Sequence, residues 1–312
     1  MELLRHFSRI SKNDVGIAGG KGASLGEMTK VKIPVPPGFV VLSSAFDRFL
    51  DETDLDVEIE AILHRVKHND VNSVDRASNQ IHSLILDAKF PRDLSTLALA
   101  HFRQLKSLYV AVRSSATAED SSVASWAGEL ESYLNTTKAS LLANIQKCWA
   151  SLFTPRAIFY RREKKLHKAK VSVAVVVQAM VQSEVSGICF TVHPVTKDYG
   201  QMVIEAGWGL GEAIVGGKIT PDTYIVHKPW GVILDKNISQ QSMMIVRGAS
   251  GTVERPVPAA KQNKQKLPDV KILAVYKLCQ KIEQYYGKPQ DIEWALVKGK
   301  LHILQSRPIT TL

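Results

Sequence analysis

An alternating pattern near the carboxyl terminus constrains the fold of this chain more than any other feature. The sequence is DIEWALV over residues 291–297 and LHILQSR over residues 301–307, with a Lys-Gly-Lys turn at residues 298–300 between them. Alternation with a period of two predicts half-buried strands, and two such strands around a glycine-containing turn predict an antiparallel hairpin. The apolar face predicted for this hairpin comprises Ile292, Trp294, Leu296 and Leu304.

The register of the hairpin decides which polar side chains meet. If residues 298–300 form a three-residue loop, Val297 pairs with Leu301. Counting back from that pair gives the polar cross-strand pairs Asp291–Arg307 and Glu293–Gln305, all on one face. Carboxylates beside an amide oxygen suit Mg²⁺, and an arginine there can neutralise a phosphate that the metal touches. For the hairpin alone, an exposed salt bridge and a solvated Glu–Gln pair are the favoured alternative, and a two-residue loop would break the register.

A glycine-rich segment near the amino terminus predicts a phosphate-binding turn. Residues 19–22 (GGKG) precede residues 23–28 (ASLGEM), which have the pattern of a helix. Backbone N–H groups and the positive end of a helix dipole would favour an anion beside Lys21. This is not a Walker A loop, because only three residues separate Gly16 from Gly20. A solvated turn is an equally open interpretation.

Other segments give weaker signals for ligand contact. Arg113 ends a predicted strand and precedes a hydroxyl-rich run over residues 114–122, which we expect to be a polar loop. Considered alone, Arg113 is better explained as a surface arginine. Residues 125–129 (SWAGE) predict either a mobile loop over a ligand or a simple turn. The glycines at residues 207–211 lack the GxGxxG spacing of a dinucleotide-binding turn.

Strand and helix patterns intermix along the chain without regular alternation, which favours an α+β fold over a doubly wound sheet. Residues 45–107 predict a helical insertion, and the β-branched run over residues 171–181 predicts a buried central strand. Residues 248–269 are polar and contain proline, which makes them the best linker candidate. A length of 312 residues predicts about two domains, or one domain with two lobes.

Composition excludes several classes of protein. With 45% apolar and 22% charged residues, the chain is neither disordered nor fibrous. Its three separated cysteines predict neither a disulfide framework nor a zinc site, which favours a reducing, cytoplasmic compartment. No segment predicts a signal peptide or a membrane span. A net charge of +10 favours an anionic partner. The basic run over residues 161–170 lacks aromatic residues that stack on bases, so a solvated helix face is favoured over a nucleic-acid site.

Taken together, the motifs resemble the N-terminal nucleotide-binding domain of the phosphoenolpyruvate synthase and pyruvate phosphate dikinase family, which has an ATP-grasp fold. The resemblance spans nearly the whole chain and keeps the family's order. The matching motifs are GGKGASLGEM (19–28), VPPGF (35–39), VRSSA (112–116), AG (127–128), LN (134–135), SGICFT (186–191), GLGEA (209–213), PD (221–222), DIE (291–293) and QSRP (305–308). The resemblance implies two lobes that close on a nucleotide. We expect the first over residues 1–110, with the helical insertion, and the second over residues 111–312, with the metal-binding hairpin 291–307.

The resemblance also implies roles for individual residues. Lys21 and Arg113 would bind the ATP phosphates, and Arg307 would stabilise charge on the transferring phosphoryl group. Glu293 and Gln305 would be Mg²⁺ ligands. The remaining implied residues are Asp291 beside the metal, Gln178, Met180 and Val181 at adenine, and Ser125, Ala127 and Gly128 in a glycine loop over the phosphates.

One residue departs from the family pattern. His193 stands before Pro194, where family members often carry aspartate or asparagine. We expect His193 to be a structural histidine rather than a catalytic residue.

The implied function is an ATP- and Mg²⁺-dependent phosphotransferase module that is incomplete alone. Full-length relatives carry the accepting histidine on a swivelling domain, in a Gly-Gly-x-x-x-His setting, and none of the nine histidines here has that setting. We therefore expect the histidine to be supplied in trans. With pyruvate as acceptor, the full system would convert ATP, pyruvate and water to AMP, phosphoenolpyruvate and phosphate.

Other functions stay open at this point. The same module could serve another acceptor, as in rifampicin phosphotransferases and in the phosphorylation of phenol by phenylphosphate synthase. A non-catalytic ATP-binding sensor is a further alternative. A nucleic-acid binder would rest only on the net charge and the basic run.

Overall fold

The computed structural model describes residues 2–67, 69–117, 131–163, 172–249 and 251–310. It divides the chain into two compact units. The first comprises Met1–Glu27 and Pro37–Met180, and the second comprises Met28–Pro36 and Val181–Leu312. Within the described ranges, none of the helices combines the length and the apolar composition that a bilayer crossing requires.

The helices and strands up to residue 180 are mainly those of the first unit. In chain order they are β1 (Leu4–His6), α1 (Val15–Lys30), β2 (Gly38–Val41), α2 (Ser43–Glu52), α3 (Leu55–His64), α4 (Val71–Asp87), α5 (Arg92–Gln104), β3 (Val110–Ala116), β4 (Ser132–Thr136), α6 (Leu141–Ala150), α7 (Pro155–Glu163) and β5 (Val173–Ala179). Short 3₁₀ helices cover Phe7–Arg9, Lys12–Asp14 and Ser151–Phe153.

The first unit is built on an antiparallel sheet with the strand order β1-β2-β5-β3-β4. Residues 173–177 of β5 are buried on both faces, as expected for the β-branched run that predicts a central strand. One face of the sheet packs against the helices in a core where Trp149 stacks on Phe90, with ring centroids 5.4 Å apart. The helical insertion predicted over residues 45–107 is present as α2 to α5.

The division of the chain differs from the predicted boundary after residue 110. β3, β4, α6, α7 and β5 belong to the first unit, which continues to Met180. The reason is strand pairing, because β3 pairs with β5 along its whole length and β5 pairs with β2. A cut after residue 110 would separate β2 from the strands that complete its sheet.

The second unit is built on a second antiparallel sheet, with the strand order β13-β12-β6-β7-β8-β9. Its elements in chain order are β6 (Val185–Phe190), β7 (Gln201–Trp208), α8 (Glu212–Val215), β8 (Asp222–His227), β9 (Val232–Asn237), β10 (Met243–Arg247), β11 (Thr252–Pro256), α9 (Ala259–Gln262), α10 (Asp269–Tyr286), β12 (Gln290–Val297) and β13 (Lys300–Pro308). Helix α10 ends at Gly287, whose φ of 66° makes the left-handed cap that the sequence predicts.

Helix α10 covers one face of this second sheet. Cys189 pairs with Ile204 and with Ile292 across adjacent strands, and all three side chains are fully buried. The Cys189 thiol lies within hydrogen-bonding reach of Cys279 on α10, which identifies the covered face. Residues one position along each strand point to the opposite face, and that face carries the polar residues of the hairpin.

The predicted linker over residues 248–269 is instead anchored to the second unit. It contains α9 and β11, which pairs with β10, and its Lys266 and Leu267 are buried. The Lys266 ammonium lies 2.6 Å from the Asp222 carboxylate on β8, with both side chains excluded from solvent. The polar composition of residues 248–269 wrongly predicts a linker, because a buried carboxylate neutralises the buried lysine of this segment.

Candidate functional site

The glycine segment at residues 19–22 lies against strand β3. Gly19 has a φ of 68°, which interrupts α1 so that a new helical segment begins directly after it. A Cβ at Gly19 would lie 2.1 Å from Ser115 Oγ, and the Gly22 N–H donates to the same oxygen at 3.4 Å. Glycine is therefore required at position 19 by both the dihedral angle and the close approach. The predicted glycine turn at a helix N-terminus is confirmed.

The hydroxyl-rich run after Arg113 begins inside β3, not in a loop as predicted. Ser114 and Ser115 are strand residues, exposed by only 1% and 0%. Ser114 Oγ donates to the Glu131 carbonyl at 3.0 Å. Small hydroxyl groups tolerate burial when such hydrogen bonds satisfy them, so composition alone does not exclude them from a core. Residues 118–122 of the run lie outside the described residues.

Three of the implied nucleotide-binding elements share one face of the first sheet. Gln178 on β5 lies directly opposite Ala111 on β3, and Arg113 is two positions further along β3 on the same face. Ser115 follows on that face and contacts Gly19, so the glycine turn that carries Lys21 is brought to the same side. The opposite face of β3 packs into the helical core.

The charge of Lys21 acts on a buried cysteine of α6. Burial raises the pKa of the Cys148 thiol well above its ordinary value, and the charge of Lys21 partly opposes that rise.

Gln178 presents a buried amide nitrogen that has no hydrogen-bond partner in the described part of the chain. Its side chain is 3% exposed, and its Nε2 forms no hydrogen bond with any described residue. An unsatisfied buried donor destabilises a fold by about 1–3 kcal/mol, so a group of this kind is typical of a ligand site. The backbone N–H of Met180 donates to the Tyr109 carbonyl at 3.0 Å. Val181, the next residue, begins the longer segment of the second unit, Val181–Leu312.

The three-residue loop predicted for the hairpin is wrong. β12 and β13 join through Lys298 and Gly299 alone, with φ values of 48° and 74°. Val297 consequently pairs with Lys300 rather than with Leu301. Positive φ at both loop residues matches the right-handed twist of the strands, which is why two-residue hairpin loops favour this geometry.

A bulge restores the predicted polar pairs despite the shorter loop. Trp294 pairs with Ile303 while Glu293 pairs with Gln305, which leaves Leu304 as an extra residue on β13. Ile303 takes the buried place predicted for Leu304 and is fully excluded from solvent. The resulting polar pairs are Asp291–Arg307 and Glu293–Gln305, as predicted.

Asp291 and Arg307 form an ion pair on this face, in which two guanidinium N–H groups donate to one carboxylate oxygen. Arg307 Nη2 and Nε lie 2.7 and 2.9 Å from Asp291 Oδ2. The Asp291 side chain is only 13% exposed, whereas that of Arg307 is 40% exposed. Burial raises the pKa of Asp291, the guanidinium opposes the rise and Glu293 adds to it. The ion pair thus exists, but it is less solvated than the exposed alternative considered for the hairpin.

Glu293 and Gln305 have the chemistry of Mg²⁺ ligands. They face each other across β12 and β13, and Gln305 is 6% exposed. Within the described ranges, no group of three or more His, Cys, Asp or Glu side chains is arranged to hold a metal ion by itself. Mg²⁺ is usually bound by one or two carboxylates together with substrate phosphates and water. The residues present therefore fit a metal ion that a nucleotide helps to hold.

The sequence patterns miss one carboxylate on this face, Glu205 of β7. Glu205 lies opposite Ile188 of β6, and Ile188 lies opposite Glu293 of β12. Burial raises the pKa of Glu205, and the charge of Asp291 adds to the rise. The signal that could have found it is its position as the lone charged residue within the apolar strand at residues 202–206.

His193 has the structural role expected of it. Its Nδ1 accepts hydrogen bonds from the backbone N–H groups of Val195 and Thr196, at 3.3 and 3.2 Å. An aspartate or asparagine side chain forms the same kind of local turn. The imidazole therefore substitutes for the residue that family members often carry at this position.

Some predicted positions lie outside the described residues. They are Ser125, Ala127 and Gly128 of the glycine loop and residues 164–170 of the basic run.

Comparison with known proteins identifies related sequences along the whole chain. Residues 15–312 match the family model described as "Pyruvate phosphate dikinase, AMP/ATP-binding domain". The chain is 45% identical over its whole length to a probable phosphoenolpyruvate synthase of Methanothermobacter thermautotrophicus, of which it covers 46%. It is 40% identical over 99% of its length to the phosphoenolpyruvate synthase of Pyrococcus furiosus, of which it covers 44%.

A relative with a different name is also similar. The chain is 38% identical over 99% of its length to the rifampicin phosphotransferase of Bacillus subtilis, of which it covers 36%. The chain thus spans less than half the length of each of these three curated relatives.

Proposed function

The chain belongs to the pyruvate phosphate dikinase AMP/ATP-binding domain family, and we propose that it is the ATP-binding module of a phosphotransferase. In this proposal it transfers a phosphoryl group from Mg·ATP to a histidine on another domain or subunit, within a phosphoenolpyruvate synthase-like system. The observation that carries the proposal is the register of the hairpin, which aligns Glu293 with Gln305 and Asp291 with Arg307 on one face. That donor set suits a metal ion beside a phosphate.

The first unit would supply the contacts to the nucleotide. Lys21 on the glycine turn and Arg113 on β3 would bind phosphate oxygens, since both cations lie on elements of the same sheet face. The unpaired Nε2 of Gln178 would donate to an adenine nitrogen. The Met180 N–H is already bonded to Tyr109, so backbone contacts to adenine would use the other groups around Met180 and Val181.

The second unit would supply the contacts to the metal and to the transferring group. Glu293 and Gln305 would hold Mg²⁺, which neutralises charge on the phosphates when it is bound. Asp291 fixes the orientation of Arg307 by accepting two hydrogen bonds from its guanidinium on one carboxylate oxygen. The exposed part of the Arg307 guanidinium would stabilise charge on the phosphoryl group as it transfers.

The reaction divides between this chain and the accepting domain. A histidine nitrogen would form a bond to the β-phosphorus of ATP while the bond from that phosphorus to the AMP oxygen breaks, and AMP would leave with the electron pair. Water would then attack the γ-phosphorus, break its bond to the β-phosphate and release phosphate, which would leave one phosphoryl group on the histidine. With pyruvate as the final acceptor, ATP, pyruvate and water would give AMP, phosphoenolpyruvate and phosphate. Positioning and charge neutralisation supply most of the catalysis in such transfers, which fits a module built from cations and metal ligands.

A second candidate function keeps this module and changes the acceptor. It is supported by the similarity to a rifampicin phosphotransferase, which covers 99% of the chain, the same share as the similarity to the phosphoenolpyruvate synthase of Pyrococcus furiosus. An aromatic alcohol such as phenol belongs to the same alternative. The residues named above would bind ATP and Mg²⁺ rather than the acceptor, so they are compatible with any of these acceptors.

The experiment that tests the proposed function measures Mg²⁺-dependent binding of a non-hydrolysable ATP analogue. We expect Glu293→Gln to weaken that binding at least about 10-fold, because the variant loses a charged metal ligand. The matched control is Glu254→Gln, which removes the same charge from an exposed residue of β11 that pairs with Lys218. Absence of Mg²⁺-dependent binding by the unmodified chain, or equal binding by both variants, would contradict the proposal.

A further inference from the structure

We propose, on the basis of the function proposed above, that Glu205 of β7 is a third acidic residue of the Mg·ATP site. Its carboxylate would accept hydrogen bonds from water molecules that hydrate the metal ion. Glu205 would then act as a positioning residue, since it would touch the metal only through water. No motif of the sequence points to this role, and the inference depends on which strands the fold places side by side.

The first argument is the register of the second sheet. Glu205 lies opposite Ile188, Ile188 lies opposite Glu293, and Glu293 lies opposite Gln305. Residues that pair directly across antiparallel strands point to the same face. Glu205 therefore shares a row with both proposed metal ligands, on the face opposite to α10. One strand separates it from Glu293, so their Cα atoms are about 10 Å apart.

The second argument is the reach of the side chains. Direct ligands of Mg²⁺ lie about 2.0–2.1 Å from the ion. Two carboxylates on strands that are separated by a third strand have difficulty reaching one ion at this distance. A bound water adds a hydrogen bond of about 2.7–2.8 Å. A carboxylate that accepts from this water lies roughly 4 Å from the ion. The spacing of Glu205 and Glu293 suits one direct ligand and one water-mediated contact.

The third argument is that Glu205 lacks a compensating partner in the described part of the chain. The side chain is half-buried, and it forms neither a hydrogen bond nor an ion pair with any described residue. Asp291, in the neighbouring row, is by contrast paired with Arg307. A half-buried carboxylate without a donor or cation destabilises the fold. A hydrated metal ion would supply both the positive charge and the hydrogen-bond donors.

The test measures metal binding separately from activity. Mn²⁺ replaces Mg²⁺, and the electron paramagnetic resonance signal of free Mn²⁺ gives its apparent Kd in the presence of a non-hydrolysable ATP analogue. We expect Glu205→Gln to raise this Kd about 10-fold, the usual effect of losing a residue that holds a metal ligand in place. Binding of the analogue in EDTA should be unchanged, and Glu205→Asp should recover most of the Mn²⁺ affinity because it keeps the charge.

The control and the contradicting outcomes separate this inference from the proposed function. Glu254→Gln should bind Mn²⁺ as the unmodified chain does. If Glu205→Gln also binds Mn²⁺ normally while Glu293→Gln does not, the role of Glu205 is wrong and the proposed function stands. If Glu205→Gln loses analogue binding in EDTA as well, its role is structural and the inference is again wrong. If the unmodified chain binds no Mn²⁺ with the analogue, both proposals fail.

Discussion

Gly19 shows how a single residue can fix the geometry of a phosphate-binding turn. Its positive φ places the chain in a region that residues with a side chain rarely adopt, and its Cα approaches Ser115 on β3. Both features are needed for a new helical segment to begin at Gly20, with its first N–H groups directed to the N-terminal end of that segment. The lysine that follows can then act together with these donors on one anion.

We expect Gly19→Ala to destabilise the chain by at least about 2 kcal/mol, because the left-handed conformation and the clash with Ser115 both oppose a Cβ. Gly16→Ala is the matched control, since a Cβ there meets nothing within 4 Å. The free energy of unfolding from urea denaturation checks both variants. Equal stability of the two would show that the turn does not have the described geometry.

Single residues that belong to a motif have roles that the resemblance implies, and these roles stay predictions. Lys21, Arg113, Glu293 and Gln305 follow from the resemblance, and the sequence predicted the pairing of Glu293 with Gln305. The proposed role of Glu205 could not be predicted in this way, because it depends on β7 and β12 both lying beside β6. The burial of Ser114 was missed for a related reason, since its hydrogen bond to Glu131 joins residues 17 positions apart.

At the scale of elements, the hairpin of β12 and β13 combines two irregular features that compensate each other. The two-residue loop alone would pair Glu293 with Leu304, and the bulge at Leu304 moves Gln305 into that place. Hairpin loops with different lengths have overlapping sequence signals, because Lys-Gly-Lys permits either two or three loop residues. The polar pairs were therefore predicted correctly from an incorrect loop, and a bulge cannot be identified from alternation alone.

Helix α4 carries a half-buried histidine, His82, where it contacts neighbouring helices. It packs against α6 and against the 3₁₀ helix that follows α6. His82 of α4 lies half-buried in this contact, and its Nε2 is buried without a hydrogen-bond partner among the described residues. Burial lowers the pKa of His82, and a hydrogen bond with the Ala150 backbone partly opposes the shift. The folded chain thus favours the neutral imidazole.

The lowered pKa predicts how stability depends on pH. The unfolded chain takes up a proton on His82 below about pH 6.5, whereas the folded chain resists protonation there. The stability contribution of the neutral ring is present above that pH and is lost as the pH falls through the folded pKa. We expect His82→Gln to reduce the loss of unfolding free energy between pH 7.5 and pH 5, by on the order of 1 kcal/mol or less.

Urea denaturation at both pH values measures this difference for the unmodified chain and for the variant. His64→Gln is the control, because His64 is exposed at the end of α3. An identical pH dependence for His82→Gln and the unmodified chain would contradict the assignment of acid sensitivity to the contact between α4 and α6.

At the scale of the whole molecule, the fold class follows from the sequence but the division of the chain does not. Intermixed strands and helices correctly predicted an α+β fold. The two compact units are not divided after residue 110, because strands β2, β3 and β5, which lie tens of residues apart in the sequence, pair in one sheet. Local periodicity carries no information on such long-range pairing. The buried pair of Asp222 and Lys266 similarly joins residues 44 positions apart and turns a predicted linker into part of the second unit.

The proposed function accounts for part of the net charge of +10. Lys21, Arg113 and Arg307 are the cations that the proposed function assigns to a triphosphate. The charge therefore fits an anionic metabolite without requiring a nucleic acid.

The proposed transfer to a histidine in trans is a prediction about the whole molecule, because this chain spans less than half of its curated relatives. The chain would be mixed with a swivelling histidine domain from a full-length relative and with ATP labelled on the β-phosphate. We expect Mg²⁺-dependent labelling of the histidine, and loss of the label when the acceptor is added. Glu293→Gln should abolish the labelling, whereas Glu254→Gln should not. Tight binding of Mg·ATP without any labelling would contradict phosphoryl transfer and would instead support a nucleotide sensor.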